Sequence, residues 1–203
     1  MRLRPTIVVV AAGAGKRFQG AGHKLAQPLG HGTVLGSTVR QAVHTQLPVL
    51  VVTTAERAAL VVGQLARRDI LVLDEAEAAL GMGHSIATGV AERSGSPGWL
   101  ILPGDMPLVQ SASLLAVAAA LEQHPVVVAQ YKGRRGHPVG FSAELYSELI
   151  GLQGDEGARR VVARYPAFGV ELPDPGVLVD IDTTDDLARA QGQGAPARLP
   201  ASP

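Results

Sequence analysis

An open, mostly parallel α/β sheet with helices on both faces is the fold that this sequence predicts, and three observations predict it. Short β-branched apolar blocks alternate with longer amphipathic or alanine-rich blocks. The first block, Thr6-Ile7-Val8-Val9-Val10-Ala11, is apolar without interruption, as expected of a strand covered by helices on both faces. It runs into a glycine-rich loop, and sheets of this kind bind ligands beyond the carboxyl ends of their strands.

The elements follow in order. Residues 34–46 read as a helix, 48–53 as a second strand, 56–67 as a second helix and 70–73 as a short strand. Residues 85–93 should be helical, and 99–102 form a fourth buried strand. Residues 111–123 are helical again, with Ser111 or Ser113 as the candidate N-cap, and 126–129 make the next strand. The alternation then loosens. Between Tyr131 and Pro175 only two helical patches stand out, at 144–150 and 156–164. Residues 177–181 read as a last strand and 184–190 as a closing helix. One domain is expected over residues 1–191. Residues 192–203 are rich in glycine, proline and alanine without an apolar period, which predicts a disordered tail.

Composition excludes several classes. Apolar residues make up 46% of the 203-residue chain, enough for one real core. Lysine plus arginine equals aspartate plus glutamate at 18 each. That balance opposes a general nucleic-acid or membrane-surface binder, which needs a basic excess. The chain has no cysteine, so disulfides, zinc thiolates and thiol nucleophiles are out. The apolar run near the amino end stops at Gly13, too short to span a bilayer and without a small-residue cleavage site. A cytoplasmic location is expected, with neither nucleic acid nor membrane as partner.

The loop after the first strand reads Ala11-Ala12-Gly13-Ala14-Gly15-Lys16-Arg17-Phe18-Gln19-Gly20-Ala21-Gly22-His23-Lys24. Glycines let backbone N–H groups approach an anion. Arg17 offers a fork of donors and Lys24 a point charge. Triphosphate is the natural guest. A Walker loop would need Ser or Thr after Gly15-Lys16, where Arg17 stands, and a dinucleotide fingerprint would need glycine in place of Phe18. A mobile surface turn would also contain glycine and lysine, but would not need two spaced cations.

The fourth strand ends Leu102-Pro103-Gly104-Asp105-Met106-Pro107, which points Asp105 from the sheet edge into such a site. Mg²⁺ takes hard oxygen ligands, often one or two carboxylates with phosphate oxygens. A turn-forming aspartate between two prolines would look the same. In Asp180-Ile181-Asp182-Thr183-Thr184-Asp185-Asp186, alternation puts Asp180 and Asp182 on one face. Without a metal such a pair repels itself. Asp185 and Asp186 instead suit the first turn of the closing helix, with Thr183 or Thr184 as its cap.

Two further stretches carry candidates. Gly81-Met82-Gly83-His84-Ser85 opens a helix between glycines, where Ser85 suits either a cap or a ligand contact. Gly133-Arg134-Arg135-Gly136-His137-Pro138-Val139-Gly140-Phe141 and Gly154-Asp155-Glu156-Gly157-Ala158-Arg159 gather cations suited to a phosphomonoester. Arg134, Arg135 and Arg159 would face it, and His137 could donate to it. The competing reading is solvated arginines beside a structural Gly-His-Pro turn.

The first loop resembles the signature of the NTP-transferase family, L-A-A-G-x-G-x-R-[MF] followed by K, on a Rossmann-like nucleotide-diphospho-sugar transferase fold. The resemblance covers residues 7 to about 190. It implies that Ala11, Ala12, Gly13, Gly15, Lys16 and Arg17 hold the triphosphate and that Lys24 serves the α-phosphate. It implies a metal site of Asp105, from a G-D-x-P element, completed by Asp180 or Asp182. Gly81 and Ser85 resemble the base and ribose contacts of cytidylyltransferases. The blocks around His137 and Arg159 are similar to those of the molybdenum-cofactor cytidylyltransferase group. Lys24 departs from that group, standing seven residues after Arg17 where five is usual.

The resemblance therefore implies Mg²⁺-dependent transfer of CMP from CTP to the terminal phosphate of molybdopterin, with pyrophosphate released. A molybdoenzyme or its chaperone would then receive the product. Cytidylyl or guanylyl transfer to a sugar or alcohol phosphate is the alternative among enzymes. A non-catalytic nucleotide- or cofactor-binding chaperone is the alternative outside them.

Overall fold

The structure, a computed structural model, describes residues 4–193. In chain order it contains β1 (Thr6–Val10), β2 (Pro28–Leu29), β3 (Gly32–Thr33), α1 (Val34–His44), β4 (Val49–Thr54) and α2 (Ala55–Ala58). There follow β5 (Ile70–Leu73), α3 (Glu75–Ala79), α4 (Met82–Glu92), β6 (Gly98–Pro103) and α5 (Ser111–Ala120). The chain continues through β7 (Val126–Tyr131), β8 (Arg134–Ser142), α6 (Tyr146–Ile150), α7 (Arg159–Arg164), β9 (Ala167–Glu171) and α8 (Thr184–Gln193).

Seven strands form one sheet in the order β5-β4-β1-β6-β8-β7-β9, and β2 pairs with β3 in a separate small hairpin. Within the large sheet β8 alone runs against its neighbours β6 and β7, and every other pairing is parallel. The predicted fold class is the one observed. Its two faces explain the continuous apolar strands. Ile7 and Val9 of β1 enter one core with Leu35 and Val39 of α1, Leu114 and Val117 of α5 and Leu187 of α8. Val8 enters the other, with Ile86 and Val90 of α4, Leu149 of α6 and Val161 of α7.

The chain moves outward from β1 through β4 to β5, then returns to lay β6 on the other side of β1. Loops leaving β1 and β6 therefore part in opposite directions, which opens a crevice at their carboxyl ends. The walls are held close. Gly104 N–H donates to Val10 C=O at 2.9 Å, and the buried Thr38 hydroxyl of α1 donates to Gly104 C=O at 2.9 Å.

Several expected elements differ. Residues 56–67 form only the single turn α2, followed by i to i−3 turns such as Leu60 N–H to Arg57 C=O. The β-branched Val61-Val62 pair and Gly63 are poor helix formers, and the segment has no long apolar stripe to override them. Residues 177–181 are not a strand. A 3-10 turn at Pro175–Leu178 leads into unpaired chain. Neither serine caps α5: Gln110 occupies that place, and buried Asp174 accepts from the Gln110 amide and the Ser113 hydroxyl. Strands β8 and β9 and helix α3 were not expected, because Gly136, Pro138 and Gly140 mask the alternation of β8. Gly192 and Gln193 still belong to α8, and the rest of the expected tail, 194–203, lies outside the described residues. Among the described residues no helix is long and apolar enough to cross a membrane.

Gly136 fixes the approach of β8 to the 3-10 turn. A Cβ there would stand 2.0 Å from the Val177 carbonyl oxygen. Gly136→Ala should therefore cost about 1–3 kcal/mol, as overpacking against backbone does. Urea melts of the two proteins check it, and equal midpoints would show that the turn shifts freely.

Candidate active site

The crevice between the β1 and β6 loops is a cleft of about 400 Å³, lined by Ala11, Gly13, Gly15, Lys16, Arg17, Lys24, Gly81, Ser85, Asp105 and Asp182 among others. Ten residues singled out from sequence thus meet on one surface. A hollow of about 500 Å³ beside α6 and α7 is larger. Its arginines are already engaged, Arg160 with Glu156 at 2.9 Å and Arg164 with Glu148 at 2.8 Å, and it gathers no set of ligating groups. The smaller cleft is the candidate site.

Asp105 leaves the end of β6 on the turn that Thr38 supports. The segment bearing Asp180 and Asp182 reaches it through one backbone bond, Ile181 N–H to Asp105 C=O at 2.9 Å. Ile181 is fully buried, so the aspartates on either side of it face outward. Ligand oxygens of Asp105, Asp180 and Asp182 lie within 4.8 Å of one another. The strand expected here is absent, yet extended chain gives the same alternation. Behind it, Thr183 and Asp186 cap α8 reciprocally: Thr183 N–H donates to Asp186 Oδ2 at 2.8 Å, and Asp186 N–H donates to Thr183 Oγ1 at 3.2 Å.

The cluster is strongly interacting. Burial first, then the charges of Asp182 and Asp105, push the Asp180 carboxyl above its usual range. Lys24 Nζ stands between two of the three, 2.6 Å from Asp105 Oδ2 and 2.6 Å from Asp182 Oδ1. Burial alone would lower the Lys24 pKa, but the two carboxylates raise it. Arg17 pairs with the other Asp182 oxygen at 2.6 Å. Asp105 Oδ1 is buried and has no hydrogen-bond partner among the described residues. An orphaned hard oxygen beside two more carboxylates is a donor set that fits a divalent cation.

The glycine loop folds as its composition suggests, with Gly15 and Gly22 at positive φ of 64° and 74°. Lys24 is on a short 3-10 turn, Lys24–Ala26, whose N-cap is His23. The His23 ring takes the Leu25 amide at Nδ1, 3.2 Å away, and its Nε2 is 3.1 Å from Gly13 C=O. Accepting at Nδ1 makes Nε2 the donor. Burial, then the Arg57 charge, lowers the His23 pKa and keeps it neutral.

The remaining candidates divide. Ala12 is buried behind the loop. Arg134, Arg135, His137 and Arg159 do not line the cleft. Because β8 is antiparallel to β6, its first residues Arg134 and Arg135 begin at the same carboxyl edge, and both are exposed. His137 is half-buried, and its Nδ1 has no hydrogen-bond partner among the described residues. Burial lowers its pKa against the opposing charge of Asp105, and the charge of exposed Arg159 lowers it further. His137 thus lies within electrostatic range of Asp105 and Arg159, while Arg134 and Arg135 stay exposed at the start of β8. Asp155 lines the cleft and was missed as a site residue. It follows Gly154, whose carbonyl accepts the Gly83 amide at 2.7 Å. A Cβ on Gly81 would lie 2.5 Å from the Gly154 carbonyl carbon, so the bracketing glycine is needed for this contact.

The family model of the MobA-like NTP transferase domain matches residues 7–168. Purine catabolism protein PucB of Bacillus subtilis is 34% identical over 196 residues, 90% of this chain and 94% of PucB. The crystal structure of an Rv0371c homologue from Mycobacterium sp. strain JC1 superposes with a TM-score of 0.80 at 27% identity, covering 95% of this chain and 98% of that one. The manganese complex of Rv0371c from Mycobacterium tuberculosis H37Rv gives a TM-score of 0.75 at 27% identity over 92% of this chain and 97% of that one.

The raised Asp180 pKa sets a pH dependence. The folded state holds this proton to higher pH than the unfolded chain, so the group's contribution to stability falls as pH rises through the folded pKa. A bound cation removes that repulsion, but only from ionised carboxylates. Added Mg²⁺ or Mn²⁺ should therefore raise the melting temperature at neutral pH, by less toward pH 4, and hardly at all in Asp182→Asn. Thermal melts across pH check this, and a metal shift independent of pH and of Asp182 would contradict it.

Proposed function

The chain belongs to the MobA-like NTP transferase domain family and is a nucleotidyltransferase, and from that premise we propose that it transfers CMP from CTP to the terminal phosphate of molybdopterin. The observation that carries the reading is the meeting of Asp105, Asp180 and Asp182 at the edge of a glycine-loop cleft that also holds Lys24 and Arg17. A binding module needs no such carboxylate set. Nucleotidyl transfer does, because its reacting partners are both anions.

The reaction is an in-line displacement. An anionic oxygen of the acceptor phosphate attacks the α-phosphorus and forms a new P–O bond. The bond from the α-phosphorus to the oxygen bridging toward the β-phosphate breaks, and pyrophosphate leaves with that electron pair. The attacking oxygen carries no proton near neutral pH, so no side chain acts as general base. The protein positions and compensates charge. Gly13, Gly15, Lys16 and Arg17 receive the β- and γ-phosphates on loop amides and cations. Lys24 supplies a cation beside the α-phosphate. Mg²⁺ held by Asp105 with Asp180 and Asp182 would screen the charge gathering on both phosphates.

Support for cytidine comes from the Gly81 to Val90 element, whose buried Ser85 lines the cleft. Support for a phosphorylated acceptor comes from Arg134 and Arg135 at the carboxyl edge and from His137, which feels the charges of both Asp105 and Arg159. None of the four lines the nucleotide cleft itself, which suits a second substrate.

Two measurements test this. CTP with Mg²⁺ should raise the melting temperature more than GTP, ATP or UTP, since a ligand bound only by the folded state stabilises it. A larger shift with GTP would sink the cytidylyl assignment and leave the transferase class standing. Asp105→Asn keeps the side chain's size and removes its charge. It should stay folded and lose on the order of 10²-fold or more in pyrophosphate release from CTP and molybdopterin. Near-normal turnover in the folded variant would make Asp105 a turn residue and end the metal mechanism.

A further inference from the structure

Arg57 is a cation buried where no anion pairs with it. Its residue is 7% exposed, on the single turn α2 after β4. Among the described residues it makes no salt bridge. Its donors go to two backbone carbonyls of the nucleotide loop, Nε to Ala11 C=O at 3.2 Å and a terminal nitrogen to Ala12 C=O at 2.9 Å. Burial lowers its pKa, and the nearby Glu56 charge only partly opposes this. A buried charge without a partner is costly, so a site that keeps one needs an opposite charge from elsewhere.

The peptide geometry shows where that charge would come from. The peptide bonds of this loop are trans, so each carbonyl and the N–H of the same unit point in opposite directions. Arg57 holds the carbonyls of Ala11 and Ala12, and His23 holds that of Gly13. The N–H groups of Ala12, Gly13 and Ala14 therefore point away from both side chains. None of the three donates to an acceptor among the described residues, whereas the preceding Ala11 N–H donates to Val52 C=O. Three consecutive free amides backed by a buried cation form a concave anion receptor.

We propose that Arg57 is a positioning residue for the triphosphate: its guanidinium turns the Ala12, Gly13 and Ala14 amides toward the phosphates and supplies charge from behind them. This rests on the reading of the cleft as a nucleotide site. Neutral His23 is the second bolt, and its ring packs 3.0 Å from where a Cβ on Gly15 would be. Arg57 does not reach the substrate, so its effect passes through the loop.

The probe is inorganic tripolyphosphate, with CTP beside it, on the full chain. In the wild type, tripolyphosphate should shift the backbone amide resonances of Ala12, Gly13 and Ala14 downfield, with dissociation constants measured by calorimetry. Arg57→Met should weaken tripolyphosphate and CTP about tenfold or more, and Arg57→Lys, which keeps the charge but not the fork, should recover part of the loss. A merely structural arginine would lower the melting temperature of both variants and leave these constants alone. Tripolyphosphate binding within twofold of wild type in folded Arg57→Met overturns the proposal. Should Arg57→Met not fold, Arg57→Lys with unchanged affinity, or wild-type amides that do not move on saturation, overturns it instead. A wild type that binds neither tripolyphosphate nor CTP sinks the transferase reading and takes this inference with it.

Discussion

The hydrogen bond from Gly104 N–H to Val10 C=O joins the two strands at which the chain reverses its progress across the sheet. Everything at the site depends on that junction. It sets the loop after β1 against the turn after β6, close enough that a Cβ on Gly104 would touch Ala11 and Leu35 at 3.0 Å. Thr38 then holds the turn from the α1 side, and Ile181 ties the last loop to Asp105. Three segments far apart in sequence are thereby fixed by backbone bonds, and their side chains are left free for chemistry. That division suits a reaction in which misplacement of a phosphate by about 1 Å can cost on the order of 10²-fold.

What was legible in the sequence is what depends on local pattern. The continuous apolar strands announced a sheet covered on both faces, and β1, β4, β5 and β6 lie within a residue of where their apolar runs placed them. Gly13 to Arg17, Lys24 and Asp105 were readable because strand ends in a parallel sheet share one edge. Asp180 and Asp182 share a face although the 177–181 segment is no strand, because extended chain carries the same two-residue period. The antiparallel β8 was hidden, because its own glycines and proline argue against a strand and its pairing with β6 is long-range, although only two residues separate it from β7.

Arg57 and His23 were hidden for a different reason. Neither belongs to a motif with fixed spacing, and each acts on a carbonyl. A carbonyl is present at every residue, so nothing in the residue types signals that one is held. The signal exists only in three dimensions, as a buried cation that lacks a carboxylate. Asp155 is an intermediate case. Its block carries Arg159, yet the residue that reaches the cleft stands four places earlier, with its carboxylate beside Gly81.

A net charge of zero conceals a concentration of charge at the cleft. Asp105, Asp180 and Asp182 gather there with Lys24 and Arg17 paired to them, and the loop amides stand in front of Arg57. Lys24 bridges Asp105 and Asp182, with both carboxylates raising its pKa against the burial that lowers it. Two buried features stand out among the described residues: Asp105 Oδ1, which has no hydrogen-bond donor, and Arg57, which has no salt bridge. The two have opposite signs, and Arg57 stands behind the loop, outside the cleft lining. A cation on the Asp105 side and a polyanion on the Arg57 side would satisfy both at once, whereas either alone leaves the other unmet. On the proposed function, the metal and the triphosphate are therefore expected to enter as one unit.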